Sequence, residues 1–281
     1  MECIFISDLH GKIKRINTLF KIIKEEKPEA VFIGGDILPN EFSIKESIED
    51  FLNEKFFLKI KKIKQSIGNN IRFFVILGND DPRIYEQLFI KADKENIIYY
   101  INEKTVGFDK FFVTGYSYIP PTPFQLKDWE KYDISRFNDV GVVSPEEGQR
   151  TIPVTQDQMR YSTISDDLKK ISKNRPVEKT IYLFHSPPYK TNLDRADLDD
   201  RYVDHAPFDV HVGSIAIRRF IEKKQPFLTL HGHIHESVRL TGKWVEKIGN
   251  TYSFSAAHDG DELAIVKFNT EKLEEAVRLV V

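Results

Sequence analysis

Histidine and carboxylate side chains are concentrated in five short polar segments, each of which follows an apolar run. The densest segment contains His231, His233 and His235, which alternate with single residues. Neutral imidazole is the commonest protein ligand of zinc, iron, nickel and related ions, and Gly232 allows the backbone to turn so that nearby rings can converge. This spacing predicts a metal site whose other ligands come from elsewhere in the chain.

The other four segments carry side chains suited to completing such a site. They are Asp8-Leu9-His10, Gly35-Asp36, Gly78-Asn79-Asp80-Asp81 and His185. Taken singly, each has an ordinary structural explanation, because an aspartate can cap a helix, an asparagine can form a turn and a histidine can bond to backbone. The ordered set of five favours a metal site.

The elements that must position these side chains are five apolar runs, at residues 3–7, 30–33, 71–77, 180–184 and 227–230. Short continuous apolar runs are typical of strands buried on both faces. Helical spacing between the first three runs, at 12–27 and 43–67, implies parallel strands joined by crossovers. Ligands bind beyond the carboxyl ends of such strands, so neighbouring strands would bring the five segments together.

The remaining pattern predicts further helices and strands around this frame. We expect helices at 84–91, 156–173 and 215–224, with Ser214 as a cap, and short strands at 97–101, 104–108 and 110–114. The tail, with runs at 238–240, 243–248, 251–255 and 263–268, predicts an antiparallel meander. Residues 116–149 and 189–213 have no clear period, and we interpret them as excursions over the site.

Length and composition limit the classes of protein that this chain can be. The 281 residues suit one α/β domain over 1–281, and 41 basic against 43 acidic residues argue against a generally polyanion-binding protein. The single cysteine, Cys3, cannot form an internal disulfide. No apolar run approaches the ~20 residues of a membrane span. We therefore expect a soluble cytoplasmic protein without a membrane partner, in an oligomeric state that the sequence leaves open.

In their order along the chain, the five segments resemble the signature of the calcineurin-like metallophosphoesterase superfamily: D-x-H, G-D, G-N-H-D/E, an isolated His and G-H-x-H. The resemblance extends from Asp8 to His235. It implies an α/β fold, a four-layer α/β/β/α sandwich of two mixed sheets flanked by helices. It also implies a dinuclear metal-dependent phosphoesterase, in which a metal-bridging hydroxide attacks the phosphorus of a phosphodiester or phosphomonoester in line.

The resemblance also implies the ligands of two divalent ions. One ion would be held by Asp8, His10, Asp36 and His235, and the other by Asp36, Asn79, His185 and His233. The chemistry of these side chains is consistent with the roles, because a carboxylate can bridge two cations and an amide oxygen is a neutral hard ligand. Manganese, iron, zinc or nickel would suit this set. His231 is not matched by the signature, and we expect it not to bind metal.

One position departs from the family pattern. Asp80 stands where the family has a histidine that stabilises the transition state or protonates the leaving oxygen, and Asp81 takes the family's acidic position. A carboxylate beside two metal ions is a poor acid unless burial or crowding raises its pKa. Loss of general acid catalysis costs roughly 10² to 10⁴-fold in rate.

His211 is a candidate to replace the missing acid or to bind the substrate phosphate, because it precedes a predicted helix whose free N–H groups favour anions. The alternative is a loop histidine with a local hydrogen bond. We therefore regard Asp80 and His211 as candidate catalytic residues, and Asn79 and His211 as candidate substrate-binding residues.

The substrate class is predicted less specifically than the metal site. A small-molecule or nucleotide phosphoester is favoured, with aromatic side chains available to stack on a ring at Tyr116, Tyr118, Phe124, Trp129 and Tyr189. A nuclease is possible but less favoured, since the lysines at 59–64 have no interleaved aromatic residues and are typical of a solvated helix face. Two further alternatives are a non-catalytic protein-binding scaffold on the same fold, as in superfamily members that resemble the retromer scaffold subunit, and a mononuclear zinc hydrolase.

Overall fold

The computed structural model describes residues 1–40, 44–68, 70–199, 201–203 and 205–281. Its strands are, in chain order, β1 (Glu2–Ile6), β2 (Ala30–Gly34), β3 (Arg72–Ile76), β4 (Tyr99–Tyr100), β5 (Thr105–Phe108), β6 (Phe111–Tyr116), β7 (Thr180–Phe184), β8 (Tyr202–Val203), β9 (Ala206–Pro207), β10 (Leu228–His231), β11 (Val245–Ile248), β12 (Thr251–Ser255), β13 (Ala264–Asn269) and β14 (Lys272–Val280). Its α-helices are α1 (Ile13–Glu26), α2 (Ile48–Phe51), α3 (Leu58–Ile67), α4 (Glu86–Lys94), α5 (Gln156–Tyr161), α6 (Ile164–Ile171), α7 (Ile215–Lys224) and α8 (Ser237–Thr241).

Two six-stranded sheets form the centre of the fold. The first sheet has the order β14-β13-β1-β2-β3-β4, and the second has the order β11-β12-β10-β7-β6-β5. Strands β1, β2 and β3 are parallel neighbours, as are β7 and β10, whereas β13 pairs with β1 in the antiparallel direction. Both sheets are therefore mixed, and the predicted sandwich of two mixed sheets flanked by helices is confirmed.

Strands β1, β2 and β3 of the first sheet are mostly apolar because both of their faces are buried. Phe5, Phe32 and Phe74 pack in one cluster with Leu183 and Leu230 of the second sheet. The alternate residues of the same strands pack in another cluster with the buried faces of α1, α3 and α4. Burial on both faces explains why these strands lack the apolar and polar alternation of a half-exposed sheet.

The helices follow the predicted pattern with two differences. Helix α2, a π-helical segment at Leu52–Phe57 and α3 together form one long element. It begins at Ile48 with Ser47 as its cap, so the predicted helical pattern over 44–47 is wrong, and Ser43 lies outside the described residues. The helix predicted at 156–173 is divided into α5 and α6, because Ser162 is extended and the Thr163 hydroxyl accepts a hydrogen bond from the amide of Asp166 as a new cap.

The prediction for the tail is wrong in three respects. The run at 238–240 lies in helix α8, which ends at Gly242 with a φ of 69°. Strands β11 and β12 pair in the second sheet, whereas β13 and β14 pair in the first, so the tail is two hairpins instead of one meander. Strand β14 was not predicted at all. Residues 238–240, with a basic residue between two apolar ones, are too few to distinguish strand from helix, which explains the first error.

Within the described residues, the structure has no helix that is both long enough and apolar enough to cross a bilayer.

Candidate metal centre

The predicted metal ligands meet where the carboxyl ends of five strands lie together. In the first sheet, the segments after β1, β2 and β3 carry Asp8, His10, Asp36 and Asn79. In the second sheet, the segments after β7 and β10 carry His185, His233 and His235. The two sheets thus contribute to a single site.

Side-chain donor atoms in this site form two clusters, within each of which all donor atoms lie within 4.8 Å of one another. The first cluster contains Asp8, His10, Asp36 and His235, and the second contains Asp36, His185 and His233. Asn79 adjoins the second cluster, with its Oδ1 3.0 Å from Nε2 of His185. Asp36 belongs to both clusters, so the sequence-predicted ligands are brought together around one shared carboxylate.

Four of these residues have a left-handed backbone, which is uncommon for residues other than glycine. The φ angles are 56° at Asp8, 46° at His10, 50° at Asp36 and 74° at His233. Hydrogen bonds hold this conformation: the amide of Asp8 donates to the carbonyl of Gly35 at 3.0 Å, and the amide of His10 donates to the carbonyl of Asp36 at 2.8 Å. Such strain concentrates at functional sites, where the surrounding structure supports it.

The first cluster has the donor arrangement expected around a cation. Nε2 of His10 lies 3.1 Å from Nε2 of His235, while Nε2 of His235 lies 3.5 Å from Oδ1 of Asp8 and Nε2 of His10 lies 3.9 Å from Oδ2 of Asp36. Two ring nitrogens face each other with carboxylate oxygens too distant for good hydrogen bonds. These donors therefore fit a metal ion better than they fit one another.

The second cluster is oriented by a hydrogen bond to the backbone. Nδ1 of His185 lies 2.7 Å from the carbonyl oxygen of Gly34, which can only accept, so this nitrogen carries the proton. In the neutral ring that would bind a metal ion, Nε2 of His185 is therefore the nitrogen with the lone pair, and it lies 3.3 Å from Oδ2 of Asp36. A donor bond of this kind fixes the tautomer and the ring orientation of a metal-binding histidine.

The electrostatics of the cluster favour positive charge in its centre. Burial alone would raise the pKa of Asp36, but the charges of His185 and His10 outweigh it and lower the pKa to about 2. Burial likewise opposes the charged form of His185, but the nearby Asp36 raises its pKa to about 10. In the metal-free chain, protons on imidazole balance the buried carboxylates, and cations would supply the same balance.

Asp80 lies at the edge of the site with 54% of its side chain exposed. Its amide donates to Oδ1 of Asp36 at 2.8 Å, and its own Oδ1 accepts a hydrogen bond from Nδ2 of Asn79 at 2.8 Å. Partial burial and the charge of Asp36 raise the pKa of Asp80 to about 6. A bound cation nearby would act in the opposite direction.

Asp81 is fully buried and joins two of the ligand-bearing segments. Its carboxylate accepts hydrogen bonds from the amides of Ile37 at 2.9 Å, Leu38 at 2.7 Å and Gly78 at 2.9 Å. Its carbonyl accepts a hydrogen bond from Nε1 of Trp129 at 2.7 Å. Asp81 thereby fixes the segment after β2 to the segment after β3 and connects both to the first excursion.

His231 is placed apart from the metal ligands. Its Nδ1 lies 2.9 Å from the carbonyl oxygen of Ser186, and its Nε2 lies 2.8 Å from Oγ1 of Thr229. Both ring nitrogens are engaged, and the ring stacks on Phe184. Burial lowers the pKa of His231 to about 4, so this side chain is neutral at pH 7.

His211 also lies outside both ligand clusters. Its Nδ1 is 2.8 Å from Oδ1 of Asp194. The N-terminus of α7, where a substrate anion was predicted, is taken by Asp133, which accepts hydrogen bonds from the Ser214 hydroxyl at 2.6 Å and the Ile215 amide at 2.6 Å. The argument that His211 acts together with free helix amides is therefore wrong.

Three of the aromatic residues predicted to stack on a substrate are instead part of the core. Tyr116, Tyr118 and Trp129 are buried, with the Tyr116 hydroxyl bonded to Asp167. Phe124 is 58% exposed and Tyr189 is partly exposed, so these two remain available. A segment without a clear period does not reveal which of its aromatic residues face inward, which explains the error.

Two residues that contact predicted site residues were not themselves predicted from the sequence. Arg15, on the buried face of α1, donates hydrogen bonds to the carbonyls of Asp8 and Gly260, and so supports the strained backbone of a ligand. Asp194 is completely buried beneath His211. The signal for Arg15 is a basic residue among the apolar positions of a helix, whereas Asp194 lies in a polar loop that gives no signal.

Comparison with known proteins supports the resemblance. The sequence model of the calcineurin-like phosphoesterase family matches residues 1–237. Over 100 residues, which are 34% of this chain and 38% of the relative, the sequence is 37% identical to an uncharacterized protein of Methanocaldococcus jannaschii. The matched part is thus well under two thirds of that protein's length.

Solved structures also resemble this fold. TT1561 of Thermus thermophilus matches with a TM-score of 0.57 and 13% identity, covering 99% of this chain and 98% of that one. A dimetal phosphatase from Danio rerio matches with a TM-score of 0.52 and 10% identity, covering 100% of this chain and 98% of that one. The phosphopantetheinyl hydrolase of Mycobacterium tuberculosis matches with a TM-score of 0.51 and 10% identity, covering 91% of this chain and 89% of that one. At these identities the likeness shows the fold alone.

Proposed function

This chain belongs to the calcineurin-like phosphoesterase family, and from that premise we propose that it is a dinuclear metal-dependent hydrolase of small-molecule or nucleotide phosphoesters. The substrate is a phosphodiester or a phosphomonoester, cleaved by in-line attack of water on phosphorus. The observation that carries this proposal is the pair of donor clusters that share Asp36.

The two clusters differ in composition, and each suits one divalent ion. Asp8, His10, Asp36 and His235 would hold the first ion, and Asp36, Asn79, His185 and His233 would hold the second. Mixed oxygen and nitrogen donors suit manganese, iron, zinc or nickel. When bound, two such ions would lower the pKa of a water molecule and neutralise charge on the phosphate.

The chain's own residues position the reaction. The Gly34 carbonyl keeps Nε2 of His185 directed at the site, and Asp81 keeps the segments that carry Asp36 and Asn79 in register. The part-exposed Asp80 and the more distant His211 are the candidate proton donors. We place the walls of the substrate pocket in the excursions 116–149 and 189–213, which together with the rest of 1–281 would act as one domain.

The experiment that tests this proposal compares Asp36→Asn with Asp157→Asn, a matched change at an exposed position of α5. Both proteins are reconstituted with manganese and assayed with bis-p-nitrophenyl phosphate and p-nitrophenyl phosphate. We expect two ions per chain and metal-stimulated turnover in the wild type and in Asp157→Asn. Asp36→Asn should lose the two bound ions and the metal-stimulated turnover, because it removes the carboxylate shared by the clusters.

The same assay separates the alternatives. One ion per chain with full activity would favour a mononuclear zinc hydrolase, and a folded protein without metal-stimulated turnover would favour a scaffold. Cleavage of single-stranded oligonucleotides faster than of the small diester would favour a nuclease.

A further inference from the structure

The second excursion, residues 189–213, lies against both ligand-bearing segments of the second sheet. On one side, the excursion begins four residues after His185, and the amide of its first residue, Tyr189, donates to the carbonyl of Ser214 at 3.0 Å. On the other side, the amide of Asp197 donates to Oε1 of Glu236 at 3.1 Å, in the residue after His235. The excursion is therefore joined in sequence to the segment that carries His185 and is hydrogen-bonded beside the segment that carries His235.

Within this excursion, a completely buried carboxylate contacts a partly exposed histidine. Asp194 is 0% exposed, and its oxygens accept hydrogen bonds from the amides of Lys190 at 2.9 Å, Thr191 at 2.9 Å and Gly213 at 3.1 Å. Its Oδ1 also lies 2.8 Å from Nδ1 of His211. Three backbone donors hold the carboxylate still, so the position of the imidazole is fixed by a rigid partner.

The contact with Asp194 decides which nitrogen of His211 is available. An ionised carboxylate only accepts hydrogen bonds, so Nδ1 of His211 donates and Nε2 is left for another partner. The side chain is 28% exposed, and Nε2 has no hydrogen bond to any residue that the structure describes. His211 thus has one ring nitrogen that is available to another partner.

The His211 ring is held from a second side as well. The backbone amide of His211 donates to Oδ1 of Asp209 at 2.9 Å, and Oδ2 of Asp209 accepts a hydrogen bond from the Tyr189 hydroxyl at 2.5 Å. The Tyr189 ring packs edge-on against the His211 ring, with the ring centres 6.2 Å apart. Such support restricts rotation of the imidazole, which a simple solvent-exposed loop histidine would not require.

We propose that Asp194 is a positioning residue that orients His211, and that His211 acts as the general acid for the leaving group in place of the histidine absent at Asp80. This inference rests on the proposed phosphoester hydrolysis. It assigns a role to a buried acid that the metal centre does not use.

The proton balance of the proposed step is simple. The oxygen of one water forms the new bond to phosphorus while the bond from phosphorus to the leaving oxygen breaks, and the leaving oxygen keeps that electron pair. The leaving oxygen takes the proton from Nε2 of His211, and Asp194 stabilises the cationic form of the ring before transfer. The proton lost by the attacking water restores the proton of His211, so water and ester give an acid phosphate and an alcohol.

The test compares two substrates that differ in the basicity of the leaving group, methyl p-nitrophenyl phosphate and methyl phenyl phosphate. A basic leaving oxygen needs the proton and a stable phenolate does not. In His211→Ala we expect kcat for the phenyl ester to fall by about 100-fold or more and kcat for the p-nitrophenyl ester to fall much less. Added imidazole should restore the phenyl ester reaction selectively.

Asp194→Asn should lower the ratio of the two kcat values, as His211→Ala does. We expect kcat for the phenyl ester to fall relative to the p-nitrophenyl ester, with KM for both nearly unchanged. The effect should vanish when Asp194→Asn is introduced into His211→Ala, because Asp194 acts through the ring. Thr191→Val is the matched control, since it removes a hydroxyl beside Asp194 without touching His211, and it should leave the ratio of the two rates unchanged.

The outcomes separate this inference from the proposed function. A wild-type protein without metal-dependent turnover of either ester would refute both. An active wild type whose His211→Ala variant loses equal activity on the two esters, or none, would overturn the inference alone. If Asp194→Asn does not fold, nitrogen NMR of the wild type decides: the neutral His211 ring should carry its proton on Nδ1, and a proton on Nε2 would contradict the orienting role.

Discussion

Three histidines of this chain show that hydrogen-bond partners, and not sequence position, decide what an imidazole can do. His185 donates one nitrogen to a backbone carbonyl and leaves the other directed at Asp36. His231 engages both nitrogens and has none left for a metal. His211 is bonded through one nitrogen to a buried carboxylate. The first therefore suits metal binding, the second packing and the third proton transfer.

Because His231 is buried in its neutral form, the free energy of unfolding should depend on pH. The pKa of His231 is lowered to about 4 in the folded chain, whereas the pKa of a histidine in an unfolded chain is about 6.5. The unfolded state thus binds more protons between these values, so the stability from neutral His231 is fully present above about pH 6.5 and is lost as the pH falls towards 4. When the pH falls from 7.5 to 5, the free energy of unfolding should decrease by roughly 2 kcal/mol because of His231.

Urea unfolding of the metal-free protein tests this prediction with His231→Asn as the comparison. Asparagine can still bond to Ser186 and Thr229 but does not titrate. The wild type should lose about 2 kcal/mol more than the variant between pH 7.5 and 5. Contributions from the other histidines are common to both proteins and cancel in the difference. Equal losses would show that His231 is not held neutral.

At this scale the sequence predicted side-chain types better than side-chain surroundings. The sequence predicted that Asp8, Asp36 and His185 lie together because each follows a buried strand, and parallel strands end at the same edge of a sheet. The buried position of Trp129 and the contact between Asp194 and His211 depend on how long irregular segments pack. No local pattern in the sequence encodes such packing.

At the scale of elements, the turn after β3 is the tightest part of the site. A Cβ atom at Gly78 would lie 2.3 Å from Oδ1 of Asp36 and 2.6 Å from Cε1 of His185. Neither neighbour can move without displacing a predicted ligand. The turn therefore requires glycine for space, although its φ angle is not left-handed.

We predict that Gly78→Ala abolishes metal binding at the second cluster while the chain still folds. Two close contacts with ligand side chains must be relieved, which costs about 1 to 3 kcal/mol for overpacking. Metal analysis and calorimetric unfolding give the two quantities. Gly107→Ala in β5 is the control, since a Cβ there meets nothing within 4 Å, and it should keep full metal content. Two ions bound to Gly78→Ala would contradict the steric argument.

The elements that the sequence predicted well are those with strong internal patterns. Three elements match their predicted ranges: β7 is a continuous apolar run, β12 follows turn residues at 249–250, and α7 has a serine cap. Helix α8 and strand β14 were missed, since the first is short and the second is largely exposed at the edge of a sheet. Exposed edges and short helices take their form from tertiary contacts.

At the scale of the whole molecule, the proposed metal ions would bind between the sheets. The first sheet supplies Asp8, His10, Asp36 and Asn79, and the second supplies His185, His233 and His235. Ions held by both sheets stabilise the folded state alone, because the unfolded chain does not gather these ligands. Metal binding should therefore add directly to the stability of the sandwich.

We predict that chelation lowers the unfolding temperature and that added manganese restores it in a concentration-dependent way. At a free metal concentration 100 times the dissociation constant, one ion adds about 2.7 kcal/mol. Differential scanning calorimetry over a manganese series measures this shift. Asp36→Asn should show almost no shift, whereas Asp157→Asn should follow the wild type. A shift of the same size in Asp36→Asn would place the stabilising ions elsewhere.

The division of the ligands between two sheets also has a consequence for the newly made chain. A ribosome that has released residues 1–180 has produced Asp8, His10, Asp36 and Asn79 but not one ligand from the second sheet. Each cluster remains incomplete until the segment that carries His233 and His235 has also been made. In the proposed enzyme, therefore, neither ion has its full set of ligands before the segments of both sheets have been made.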